Sequence, residues 1–106
     1  MAKYLVSGSY QKDGVKGLVK DGGSGRKASV TKMVEGLGGK IEAFYYAFGE
    51  TDVFVVVDVP DAATAAALSM AVNASGAVRT TLTPLLTIEE VDAACKKTVG
   101  YTVPGA

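Results

Sequence analysis

Five consecutive residues, Val53-Phe54-Val55-Val56-Val57, are apolar without a break. A strand turns alternate side chains to opposite faces, so a run without alternation marks a central strand covered on both sides. The run is far short of the ~20 residues that a membrane-spanning helix needs. Pro60 closes the strand Asp52–Val59, and Asp61 stands where a helix N-cap belongs. Just upstream, Lys40–Phe48 is a second strand, with Phe44, Tyr46 and Phe48 alternating against Ile41, Ala43, Tyr45 and Ala47. The connection Gly49-Glu50-Thr51 is short enough for a hairpin with glycine in the turn. Both strands therefore carry apolar residues on both faces.

The other elements follow from periodicity and punctuation. Lys3–Tyr10 reads as the first strand, with Tyr4, Val6, Gly8 and Tyr10 on one face, and Asp13-Gly14 stops it. Val15–Lys20 makes a short helical turn, interrupted by Asp21-Gly22-Gly23-Ser24-Gly25. Val30, Met33, Val34 and Leu37 then fall at i, i+3, i+4 and i+7, the stripe of a helix running from near Ser24 to Leu37 and capped by Gly38-Gly39. The alanine-rich Ala62–Ser75 is a second helix, with Ala65, Leu68 and Val72 on one side and Gly76 at its end. Ala77–Leu86 is the last strand. Thr87-Ile88-Glu89-Glu90 is a capping box that opens a further helix with Ile88, Val91 and Cys95 on one face. Thr98–Ala106 is a tail.

Strand, helix, strand, strand, helix, strand is the order of the ferredoxin-like βαββαβ fold, an α+β class. The expectation is one domain over residues 1–106, with its core at 3–86 and an added C-terminal helix and tail at 87–106. Both helices would cover one face of a four-stranded antiparallel sheet. The apolar residues on the other face then need a cover of their own, because monomers rarely expose a broad apolar patch. Sheet-on-sheet packing in a twofold homodimer, or a higher homo-oligomer built from it, supplies one. The alternative is that the C-terminal helix folds over that face within one chain.

Composition removes several chemistries. Eleven Lys+Arg balance eleven Asp+Glu, which argues against nucleic acid or a membrane surface as a partner. There is no histidine and one cysteine, so no transition-metal site is expected within one chain, and no cofactor is expected either. No segment reads as a targeting signal, and a lone thiol suits the cytoplasm.

The chain also resembles the GYD family of small bacterial proteins, a branch of the dimeric α/β-barrel proteins. The landmarks are Tyr4-Leu5-Val6, Arg26, Leu37-Gly38-Gly39-Lys40, Tyr45-Tyr46, Gly49-Glu50-Thr51-Asp52, Val59-Pro60-Asp61 and Gly76-Ala77-Val78-Arg79-Thr80-Thr81, over about residues 3–86. Thr51 stands where the family's Gly-Tyr-Asp triplet has its tyrosine. The resemblance implies a ferredoxin-like dimer and carries no activity with it.

Four sets of residues are candidates for chemistry. Asp58 shares strand parity with Phe54 and Val56, and Arg79 with Thr81 and Thr83. Both are expected on the helix-free face, about 10 Å apart across the first strand. A small ligand would bridge them with Tyr46 stacking nearby; otherwise they pair directly or across a dimer. Tyr10, at the end of the first strand, is expected at a pocket rim. The glycine-rich segment Lys20–Lys27 offers Ser24 and Arg26 to an anion at a helix start, although the spacing of a phosphate-binding loop is absent. Cys95, on an apolar stripe, is expected to be buried and inert. Taken together, the expected function is binding of a small apolar or aromatic metabolite between sheet and helices. The alternatives are a cofactor-independent monooxygenase- or isomerase-like enzyme using a tyrosine, Arg79 and Asp58, and a building block of a larger homo-oligomer.

Overall fold

A computed structural model describes all residues, Met1–Ala106. The elements are β1 (Ala2–Tyr10), α1 (Lys12–Gly36), β2 (Lys40–Tyr46), β3 (Val53–Val59), α2 (Ala62–Ala74), β4 (Val78–Leu85) and α3 (Ile88–Cys95). The strands form one sheet in the order β2-β3-β1-β4, every pair antiparallel. That is the ferredoxin-like order.

The unbroken apolar run falls on β3, flanked by β2 and β1. Val53, Val55, Val57 and Val59 are buried, while Phe54 on the opposite face is exposed. Cross-strand partners share a face, so the pairing Tyr4↔Val57, Val6↔Val55, Gly8↔Val53 puts the predicted set of β1 under the helices. Val34 of α1 and Ala65 and Leu68 of α2 close the core from above. Each fully buried valine contributes on the order of 1.5–3 kcal/mol.

β2 departs from simple alternation. Its register shifts between Ile41 and Ala43, so that Ile41↔Val57, Phe44↔Val55 and Tyr46↔Val53 all lie on the helix face. Strict parity places Ile41 opposite Phe44; the extra residue of a bulge reverses that.

The helices begin where local chemistry directs. In α2 the Asp61 carboxylate accepts from the Thr64 amide at 2.8 Å and hydroxyl at 2.7 Å. In α3 the Thr87 hydroxyl accepts from the Glu90 amide, and the Glu90 carboxylate accepts from the Thr87 amide. α1 is broken at Gly22, whose φ of 76° and ψ of 165° leave the helical region. The interruption is where the glycine run predicts it. The part before it is a full helical segment from Lys12, longer than the predicted turn. Gly14 therefore does not end β1; it lies buried in the first turn of α1. A Cβ there would stand 2.0 Å from the Ala77 carbonyl oxygen.

Beyond β4 the chain stops contributing to the core. No residue of α3 is buried, and Thr98–Ala106 is exposed throughout. Cys95 is exposed, against expectation, because the stripe of Ile88 and Val91 that carries it meets no core of its own chain. Consequently the radius of gyration is 16.9 Å, against about 13 Å for a compact chain of this length. The accessible surface is 7142 Å², against about 5,600 Å² for a compact monomer of this mass.

Candidate functional site

α1 packs over β2 and α2 over β4, and between them a cleft descends to the sheet. Its outer part has a volume of about 380 Å³ and is walled by Asp13, Asp21 and Arg26 of α1, Ala71 and Val72 of α2, and Tyr10. Its inner part, about 70 Å³, is lined by Val30 and Val34 of α1, Leu68 and Val72 of α2, and Phe44 and Val55 of the sheet, among others. Tyr10, Arg26, Met33, Val72 and Val78 border both parts and form the neck.

Tyr46, Tyr10 and Arg26 gather at this neck. The Tyr46 hydroxyl donates to the Gly23 carbonyl at 2.9 Å, and its ring lies against Gly23 just past the break in α1. Burial pushes the Tyr46 phenol above its ordinary value, the adjacent Tyr10 hydroxyl adds to the rise, and the Arg26 charge opposes it. Tyr46 therefore acts as a protonated strut under the kink. Its ring also stacks on Phe48 at 6.0 Å and tilts against Phe44 at 5.2 Å. Arg26 is half-buried and takes part in neither of the chain's ion pairs, both of which belong to Lys3. Ser24 is exposed in the first turn beyond the kink.

The rim is held by an acid of the hairpin. Where β1 leaves the sheet, the Tyr10 amide donates to the Asp52 carboxylate at 2.8 Å, and the Asp52 amide donates to the Gly8 carbonyl at 2.8 Å. Asp52 thereby ties the β2–β3 connection to the strand end that carries Tyr10. This positioning role escapes sequence reasoning, because the two residues are forty-two positions apart; the only signal is an aspartate closing a glycine-containing turn.

Asp58 and Arg79 both fall on the helix-free face, as parity predicts, but they do not meet. Asp58 pairs in register with Lys3, and Arg79 with Ser9. Those positions are six residue steps apart along β1, about 20 Å. The expected 10 Å gap counted only the distance across strands. A direct Asp58–Arg79 pair is excluded for the same reason, and so is a shared site with Tyr46, which lies on the opposite face. Arg79 is exposed and forms no ion pair within the chain.

Asp58 is instead buried and paired with Lys3 at 3.0 Å, while Lys3 also bonds Glu42. The Lys3 ammonium holds the Asp58 carboxyl below its usual range. Glu42 first, then Asp58, raise the Lys3 ammonium above its own. One Asp58 oxygen, Oδ1, is buried without a hydrogen-bond partner.

No helix is long and apolar enough to cross a membrane. No curated protein and no solved structure matches the chain. The model of the GYD domain matches residues 4–95, taking in all of the sheet but the first two residues of β1, the kinked α1, the hairpin that positions Tyr10, and α3. The chain therefore belongs to the GYD domain family.

Proposed function

We propose that this protein binds a small, largely apolar molecule in the cleft between α1 and α2, and does so as a homodimer joined through the helix-free face of its sheet. The observation that carries the binding reading is the cleft itself. An outer volume of about 380 Å³ continues into an inner apolar cavity of about 70 Å³. Ligand pockets have this size and this composition, apolar walls with a few polar anchors. The Asp58, Arg79 and tyrosine chemistry of a cofactor-independent enzyme has no support in a geometry that holds Asp58 and Arg79 about 20 Å apart.

Support for the dimer comes from the apolar surface of the uncovered sheet face. Leu5, Ala43, Tyr45, Phe54 and Val56 share the uncovered face by register. Dimers of this kind are also the units from which a larger homo-oligomer would be assembled. A single free thiol suits a reducing compartment, and we place the protein in the cytoplasm.

Two measurements test this reading. Light scattering on the full chain should give a dimer or a multiple of one, and Phe54→Asp should shift it towards monomer. A monomer at micromolar concentration ends the assembly proposal. For the cleft, titration with small apolar molecules should move the NMR signals of the Val30 and Val72 methyl groups together. Shifts confined to α3 and the tail would refute binding there.

A further inference from the structure

We propose that the molecule held in the cleft is a small monocarboxylic acid with an aliphatic tail, its carboxylate on Arg26 at the neck and its tail in the inner cavity. This rests on the reading of the cleft as a binding site and adds the chemistry of the occupant.

The polar groups in the lining of the inner cavity belong to Tyr10, Arg26 and Thr80, and of these Arg26 alone is charged. Thr80 is already engaged. Its amide donates to Asn73 Oδ1 at 2.7 Å, its carbonyl accepts from Asn73 Nδ2 at 3.3 Å, and its hydroxyl lies 3.2 Å from that of Ser69. Arg26 makes no ion pair, and no hydrogen bond from its side chain is formed within the chain. It is the only cation bordering either part of the cleft. A guanidinium is a rigid fork of donors matched to a carboxylate. Half-buried beside apolar walls, it is a cation that no carboxylate of the chain pairs with.

Size decides the shape of the tail. The inner cavity is about 70 Å³, roughly half the 150 Å³ of a cavity that accepts benzene. A flexible alkyl chain can put its last carbons in such a space and leave the rest in the neck, whereas a rigid ring must enter whole. Charge decides the number of carboxylates. Asp13 and Asp21 stand in the outer wall, neither in an ion pair. A ligand with a second negative group directed outwards would meet two like charges. The site is thus built for one anionic group at the neck, with the tail inward.

The full-length protein is titrated with hexanoate, hexan-1-ol, adipate and benzoate, followed by NMR of the Val30 and Val72 methyl groups. Hexanoate is expected to bind at the cleft at least tenfold more tightly than the other three. Arg26→Gln is expected to weaken hexanoate at least tenfold while leaving hexan-1-ol unchanged, and Arg26→Lys to restore part of the loss. Thermal unfolding of both variants shows that the fold is kept. Should Arg26→Gln unfold the protein, the comparison of hexanoate with hexan-1-ol on the unaltered chain decides alone. Hexan-1-ol binding as tightly as hexanoate overturns the carboxylate assignment, adipate doing so overturns the monoanion, and benzoate doing so overturns the aliphatic tail. In each of those cases the cleft still binds and the broader reading stands. Absence of cleft shifts with all four probes overturns both.

Discussion

Two glycines three residues apart in α1 should respond to the same substitution with opposite signs. Replacing a helical glycine by alanine lowers the entropy lost on folding and gains roughly 0.5–1 kcal/mol. At Gly17 a new Cβ meets nothing within 4 Å, so Gly17→Ala should be stabilising by about that amount. At Gly14 the same Cβ would sit 2.0 Å from the Ala77 carbonyl oxygen, 2.9 Å from its carbon and 3.2 Å from Tyr10 Cδ1. The Ala77 carbonyl cannot simply retreat, because it accepts from the Gln11 amide at 2.8 Å where β1 turns into α1. Making room displaces backbone and weakens that hydrogen bond. Overpacking costs about 1–3 kcal/mol, and losing a backbone hydrogen bond about 1 kcal/mol more. After the propensity gain, Gly14→Ala should destabilise by about 2–3 kcal/mol. The two variants should then differ by about 3 kcal/mol, or roughly 12–24 °C in melting temperature for a domain of this size. Urea unfolding followed by far-UV circular dichroism measures both, since the chain has no tryptophan. If Gly14→Ala unfolds at or above the urea concentration of the parent, the close approach of α1 to Ala77 is wrong. The outer wall of the cleft, which includes Gly14, would then be wrong with it.

Removing the acid that holds the rim gives a second check. Asp52→Ala strands the Tyr10 amide and should cost about 1–3 kcal/mol, while Asp52→Asn, which keeps a carbonyl acceptor, should recover most of it in the same urea assay. The Lys3–Asp58 pair sets a pH window. Asp58 is held low, so its contribution is complete above the ordinary aspartate range and fades as pH falls through the depressed value. Lys3 is held high, so its contribution is complete below the ordinary lysine value and fades as pH rises through the raised one. Stability should therefore be flat across neutral pH, and Asp58→Asn should shrink the loss on the acid side. An unchanged acid limb in that variant would show that the pair does not couple folding to protons.

The sequence alone determined whatever depends on neighbours along the chain. Which residues of β1 and β3 share a face followed from strand parity, and the starts of α2 and α3 from Asp61 and Thr87 within one turn of their partners. The break in α1 followed from its glycine run. The places of Tyr10 at a strand end and of Arg26 just past the break in α1 were also legible. The separation of Asp58 from Arg79 was not, because strand parity assigns a face while only cross-strand register assigns a position along it. The bulge that turned Ile41 to the helices, the approach of Gly14 to Ala77, and the grip of Asp52 on Tyr10 depended in the same way on distant segments. The exposure of Cys95 belongs with them, since a stripe on a helix does not say what it will meet. The cleft itself arises because α1 settles over β2 and α2 over β4, leaving a gap between them, and no local pattern encodes the distance between two helices. Local sequence sets conformation and facing through sterics and hydrogen bonds a few residues long; the spacing and offset of elements are set only when the whole chain packs.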